Sequence, residues 1–385
     1  MREKLVFKFF EVCMANTLLP FPIIEYQADQ TPRQWGQKHG EEFRAAIKEL
    51  AQIRKELMLS KNPALLPKLD QLAMEQWQAT QTFSPLLSQE LSGLVEGSGL
   101  TKTDIIILNN YTDFRDIIPD QGCSTVAVKN NKKMLLGQTW DMHRSAKNYL
   151  CLLKVPSYQG GPSSLVFSLT GCLGMMGVSN RGLFIGVNNI NTLRAKTGIV
   201  WPALVRESLL QTNYKNMKDI MYRAPVTSGH NYLIGDKHEA GHFEITPDTK
   251  EEVGSITTQA EQGLAFHTNH CLAPKLAKEE DKKSLSSTTF IRYNLLEKNG
   301  HKVKTIKELK NLLHSHENHP KGICSHFESG LQDPSFTCGG GVWDPETNVA
   351  TFWRGCPSYD DFYREYSFNT GTMEMMTDLK GKQSF

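Results

Sequence analysis

The spacing of apolar and polar positions changes period at residue 123. From Thr31 to about Leu100, apolar residues recur every three to four positions, the pattern of helices that bury one face. Thr31-Pro32 predicts the first start, an N-cap with proline at the first helical position, and Ser84-Pro85 predicts another that runs through Leu94. Gly97-Ser98-Gly99 stops it, and Thr103-Asp104 opens a short helix into Asn109-Asn110. At Cys123 the texture becomes alternating, with Cys123 to Val128 and Met134 to Trp140 as hairpin partners across Asn130-Asn131. Strands are then expected at Leu150 to Val155, Leu165 to Leu169, Met175 to Val178 and Leu183 to Asn188.

After this meander the spacing predicts a helical stretch from Pro202 to about Tyr222, then strands at Asn231 to Ile234, His242 to Ile245 and Leu264 to Thr268. Helices return at Thr288 to Glu297 and Thr305 to His314, and strands at Phe336 to Trp343 and Val349 to Trp353 close the pattern. Helices segregated from runs of antiparallel strands imply a layered α+β fold around one core.

The 43 Lys plus Arg nearly balance 41 Asp plus Glu, so no strong field exists to hold nucleic acid or an anionic bilayer. Small, weakly charged partners fit better. Eight cysteines are spread along 385 residues without paired short spacing, which reads as buried thiols in a reducing compartment. Lys8 and Glu11 interrupt the apolar run of Met1 to Glu11, against a signal peptide, and no apolar stretch approaches the roughly 20 residues of a membrane span. A cytoplasmic location is the expectation.

The junction Asp120-Gln121-Gly122-Cys123-Ser124-Thr125 carries the chemistry. A cysteine at a strand start is on composition a small apolar residue. If the Gly122-Cys123 bond were cut, however, Cys123 would hold a thiol and a free α-amine, whose ordinary pKa of about 7.7–8.0 suits it as base for its own thiol. The glycine before it leaves room for the thiol to reach the carbonyl to be attacked.

Gly122-Cys123-Ser124-Thr125, then Gly137-Gln138-Thr139-Trp140-Asp141, then His267-Thr268-Asn269-His270-Cys271, resemble in order and spacing the acyl-coenzyme A:6-aminopenicillanate acyltransferase family of self-processing hydrolases. Trp35-Gly36-Gln37-Lys38-His39-Gly40, Leu108-Asn109-Asn110, Gly235-Asp236 and Ile323-Cys324 fall where the family has similar segments, so the resemblance covers most of the chain. It implies a four-layer αββα sandwich of the N-terminal-nucleophile type. It also implies self-cleavage into a helical fragment, 1–122, and a larger fragment, 123–385, that stay associated and act on a small amide or N-acyl substrate.

In that frame Cys123 is the nucleophile, Asn269 matches a side-chain oxyanion donor, and Asp141 matches an aspartate that orders the site and takes part in processing. Asn188 or Asn189 is a candidate partner of the α-amine or the substrate, and Thr246 falls where a family member has a serine near its acyl site. His267 and His270 are expected to pack and hydrogen-bond locally. A functional family arginine has no counterpart in Asp333-Pro334-Ser335-Phe336, which leaves Arg115 or Arg354 to supply a charge and does not carry over coenzyme A recognition.

No cofactor is implied. His314-Ser315-His316-Glu317-Asn318-His319 has the histidine spacing of some zinc hydrolases, but it closes a helical run and has Asn318 where those motifs carry aspartate. These histidines are read as solvated groups at a helix C-terminus, with no metal. A binding or scaffold protein with a silent site is the first alternative to this enzyme, and a zinc-dependent hydrolase the second.

Overall fold

The computed structural model describes residues 20–114, 122–193, 195–326 and 335–382. The short strand β1 (Ile23–Glu25) precedes five helices: α1 (Pro32–Glu42), α2 (Arg44–Lys61), α3 (Leu69–Phe83), α4 (Pro85–Ser98) and α5 (Lys102–Phe114). Thr31 caps α1 by accepting from Gln34 N–H, and Gln34 returns the bond to the Thr31 backbone, a capping box. Gly99, at φ 70°, ends α4 where the glycine cluster predicted a stop.

Helices α1 and α4 cross with backbones in contact. A Cβ on Gly36 would lie 1.9 Å from the Glu90 carbonyl oxygen, and one on Gly93 would lie 1.9 Å from that of Arg33. Only glycine fits either position. Glu90 itself is fully buried and accepts from Arg206 at 3.0 and 3.1 Å and from Tyr26 Oη at 2.9 Å, so the ion pair is hydrogen-bonded on both oxygens.

Beyond residue 122 strands outnumber helices: β2 (Cys123–Asn130), β3 (Lys133–His143), β4 (Leu150–Val155), β5 (Ser164–Leu169), β6 (Met176–Ser179) and β7 (Leu183–Asn189). Helices α6 (Trp201–Leu209) and α7 (Tyr214–Arg223) follow. The single stretch expected there splits because Asn213 caps α7, accepting from Asn216 N–H at 2.9 Å. Then come β8 (His230–Gly235), β9 (Ala240–Ile245), β10 (Lys250–Ile256), β11 (Gly263–His267), α8 (Ser287–Gly300), α9 (Ile306–Leu313), β12 (Ser335–Asp344), β13 (Val349–Arg354), β14 (Arg364–Asn369) and β15 (Glu374–Lys380).

The strands form an eight-stranded sheet, β1-β4-β5-β6-β7-β8-β9-β10, and a seven-stranded sheet, β11-β2-β3-β12-β13-β14-β15. All pairings are antiparallel except β1 with β4. The two sheets face each other through β2 and β3 against β7. Helices α6 and α7, with α5 against α6, cover the first sheet's outer side, and α8 and α9 cover that of the second. The result is the expected αββα sandwich.

Strands β1, β10, β14 and β15 go beyond the sequence expectation. Every residue of β15 is exposed and all but the last residue of β10 are at least partly so, which leaves no clear apolar alternation to read. Among the described residues no helix is long and apolar enough to cross a membrane. The N-terminal run Met1 to Glu11 lies outside the described residues.

Candidate active site

Cys123 heads β2 in register with Trp140 of β3, and the residue after Trp140 is Asp141. Asp141 Oδ1 accepts from Thr337 Oγ1 of β12 at 2.7 Å. Its other oxygen faces Gly122: a Cβ built on that glycine would sit 2.5 Å from Asp141 Oδ2 and 2.9 Å from Arg292 Nη2. Carboxylate and guanidinium therefore wall the residue before Cys123 so closely that any side chain would displace them.

Asn269 follows β11, and its backbone N–H donates to Thr289 Oγ1 of α8 at 2.8 Å. Its Oδ1 accepts from Cys123 N–H at 2.8 Å and from Arg292 Nη2 at 2.8 Å, while its Nδ2 donates to the Asn189 carbonyl at 2.9 Å. Two donors on one side and a carbonyl on the other fix the orientation of the amide. An NH2 group has two protons, so the Nδ2 bond to the Asn189 carbonyl leaves it capable of a second donation.

Arg292 joins these groups. Its Nη1 donates to the Cys123 carbonyl and, at 3.1 Å, to Ser124 Oγ. It is fully buried on the stripe Thr288, Thr289, Arg292, Leu295, Leu296 of α8. Burial holds its pKa below the usual arginine range, and the neighbouring Asp141 carboxylate opposes that shift. Sequence reading missed this residue. An arginine at the centre of a helix's buried apolar stripe was the available signal.

Burial, and next the Asp141 carboxylate, push the Cys123 thiol up to about 12, while the Asp141 backbone N–H, Arg292 and Gln138 pull the other way. Burial raises the Asp141 carboxyl to about 6 against Arg292, the Thr337 hydroxyl and His326. At neutral pH the thiol is thus protonated and Asp141 ionised. A thiol held protonated in this way needs a base before it can serve as a nucleophile.

The remaining candidates divide. Asn188 Oδ1 accepts from Thr125 Oγ1 at 2.6 Å and from Asn231 Nδ2 at 2.7 Å, between the sheets; it is the Asn189 carbonyl that meets Asn269. Thr246 hydrogen-bonds Glu279 Oε2 at 3.0 Å and accepts from Thr249 N–H at 2.9 Å, with no hydrogen bond to Cys123, Asp141 or Asn269 among the described residues. Arg115 lies outside the described residues, as do Asp333 and Pro334, and Arg354 donates to the Phe362 carbonyl at 3.0 Å. Among the described residues, Arg292 is the guanidinium hydrogen-bonded to Cys123. His267 bonds Glu244 at 2.8 Å, and His270 bonds Thr289 Oγ1 at 3.1 Å, the local roles expected of them.

The histidine run at 314–319 differs from its sequence reading. Only His319 is exposed; His314 is buried against the Trp353 ring at 4.5 Å, and burial pushes it down to about 3. His316 lies beside Cys324, His326 and Cys356, with the four ligand atoms all within 4.8 Å of one another.

Among curated proteins the chain is similar to the 40 kDa form of acyl-coenzyme A:6-aminopenicillanic-acid acyltransferase from Emericella nidulans, 25% identical over 337 residues, covering 86% of this chain and 92% of that protein. Among solved structures it is similar to the N-acylethanolamine-hydrolyzing acid amidase ortholog of Caenorhabditis elegans, 14% identical, covering 58% of this chain and 93% of that one, with TM-score 0.40. Penicillin V acylase from Agrobacterium tumefaciens is 10% identical, covering 68% of this chain and 98% of that one, with TM-score 0.40. A family model matches residues 127–336, from the strand that Cys123 opens to the strand that holds Asp141 in place. On that match, which spans more than half of its length, the chain belongs to the acyl-coenzyme A:6-aminopenicillanic acid acyl-transferase family.

Proposed function

We propose that this chain cuts itself between Gly122 and Cys123, and that the released Cys123 then attacks a linear amide or small N-acyl compound and passes the acyl group to water or an amine. Family membership makes the chain an enzyme of amide hydrolysis or acyl transfer. The finer reading rests on one observation: Asn269 and Arg292 grip the N–H and C=O of Cys123 while a side-chain-free Gly122 lies against Asp141.

In the first reaction Asp141 takes the thiol proton and Sγ attacks the Gly122 carbonyl carbon. The C–N bond breaks, the nitrogen gains a proton and becomes the α-amine, and a thioester remains. Water hydrolyses it to the Gly122 carboxylate and free Cys123. In the second reaction the α-amine, held by Asn269 Oδ1 and near the Arg292 cation, serves as base for its own thiol. The second proton on Asn269 Nδ2 stabilises the oxyanion of the tetrahedral intermediate.

The fragments are expected to stay together. Strand β1 pairs with β4 across the cut, and the buried Glu90–Arg206 pair also spans it. Denatured mass and native size test the reading together: two fragments, 1–122 and 123–385, in one native particle, the larger beginning Cys-Ser-Thr-Val. Cys123→Ala should stay intact. A wild-type chain that remains uncut and shows no reactive thiol refutes the proposal and leaves a binding protein of the same fold.

A further inference from the structure

Away from Cys123, on the loops that join α9 to β12 and β13 to β14, two cysteines and two histidines converge. His316 Nε2 lies 3.2 Å from His326 Nε2 and 3.2 Å from Cys356 Sγ, and Cys324 Sγ lies 3.6 Å from His326 Nε2. Zn–N bonds of about 2.0–2.1 Å and Zn–S bonds of about 2.3 Å make the edges of a tetrahedral S2N2 site about 3.3–3.8 Å long. The His316–His326 and Cys324–His326 separations fall within about 0.1–0.2 Å of the N···N and N···S edges, and His316–Cys356 is about 0.3 Å shorter than an N···S edge. We propose that His316, Cys324, His326 and Cys356 hold a zinc ion.

The chemistry of the donors agrees. Two neutral imidazoles and two thiolates cancel the dication's charge, and the set is one that soft, tetrahedral zinc prefers. Binding releases the two thiol protons. The loops are held independently of the ligand atoms. Cys324 N–H donates to the Ser315 carbonyl at 3.1 Å, His326 N–H to the Pro320 carbonyl at 2.9 Å, and Cys356 N–H to Asp360 Oδ2 at 2.7 Å. The Tyr359 ring packs on His316 and His326 at 5.0 and 4.7 Å.

With four protein ligands the site is closed, which makes the ion structural rather than the activator of a bound water. Its consequence reaches Asp141. Ser325, between two ligands, donates its N–H to Thr337 Oγ1 at 2.8 Å, and that hydroxyl donates to Asp141 Oδ1. The ion adds to the backbone bonds that hold the loop from which Ser325 reaches Thr337 and, through it, Asp141. This ligand set shares only His316 with the histidine-run motif and is independent of whether the chain cuts itself.

The test uses full-length protein purified under reductant, with zinc measured after exhaustive dialysis. About one zinc per chain is expected, falling below about a tenth in the Cys324→Ser, Cys356→Ser double variant. Wild-type protein stripped and reloaded with cobalt(II) should show thiolate-to-cobalt charge transfer and the intense visible bands of a tetrahedral ion. This readout does not depend on the variant folding. Wild-type protein without zinc that shows no such bands, a Cys324–Cys356 disulfide persisting under reductant, or full zinc retained by the double variant each overturns the proposal.

Discussion

Replacing Gly122 by alanine tests the geometry of the candidate site with one methyl group. The added carbon would lie 2.5 Å from Asp141 Oδ2, 2.9 Å from Arg292 Nη2 and 3.2 Å from Arg292 Cζ. Ordinary heavy-atom contact begins near 3.5 Å, so a displacement of about 1 Å is required. Neither neighbour can move cheaply, because Thr337 holds Asp141, and Arg292 is spent on Cys123, Ser124 and Asn269. Overpacking of this kind costs about 1–3 kcal/mol of stability, and a 1 Å misplacement of a reacting carbon costs about a hundredfold in rate.

The expected outcome is a Gly122→Ala chain that folds with a lowered melting temperature and processes itself about a hundredfold more slowly than wild type. Pulse-labelled cell-free synthesis, chased and resolved on denaturing gels, times the loss of the intact chain, with Cys123→Ala as the uncut reference. Once cut, residue 122 is only a fragment's end, so the processed fraction of the variant should turn over substrate normally. Processing within about threefold of wild type, with an unchanged melting temperature, refutes the rigid wall of Asp141 and Arg292.

Under the proposed function Asn269→Ala removes an oxyanion donor and should cut turnover about a hundred- to thousandfold while KM changes less; nearly normal turnover of a processed variant would take Asn269 out of the site. Self-cleavage should rise as pH passes about 6, where the buried Asp141 carboxyl loses its proton and becomes a base, and should fall away below it. Asp141→Asn should abolish that inflection, and a wild-type processing rate flat across pH 5 to 7 by rapid-quench mass spectrometry would exclude Asp141 as the base.

Much of the fold was legible because apolar stretches bounded by turn residues coincide with its strands, even where, as in β2 and β3, nearly every residue is buried. Strand β4 is Leu150–Val155, the expected limits, and the hairpin at 123–143 was read from its alternation. Strand β15 was not legible, since an exposed edge strand rich in charge has no core face to reveal it. Within the site, Gly122, Cys123, Asp141 and Asn269 could be named because local segments carry them. Arg292 could not, because a helix period says that a position faces inward without saying which loop it meets. The Cys324 and Cys356 pairing was hidden by the 31 positions between them, and the denser 314–319 run drew attention to His314 and His319, which are not in the cluster.

The contacts on Cys123 also bear on what the second reaction accepts. Arg292 binds the carbonyl of Cys123, on the far side of Cα from the proposed cut, and Asn269 Oδ1 accepts from its nitrogen whether amide or amine. Under the proposed function these contacts survive processing unchanged, so the incoming acyl carbon must take the place of the Gly122 carbonyl carbon, the site's first substrate. The atom next to it then stands where the Gly122 α-carbon stood, with Asp141 Oδ2 and Arg292 Nη2 on the side where a substituent would project. An acyl group with CH2 beside the carbonyl repeats glycine's fit, whereas a branch there meets the same obstruction as an alanine methyl. Unbranched N-acyl substrates should exceed their α-methyl analogues in kcat/KM by at least about tenfold, the rate equivalent of about 1.4 kcal/mol of crowding. Matched pairs scored by product mass decide it, and equal rates would mean that the acyl chain leaves the site by another route.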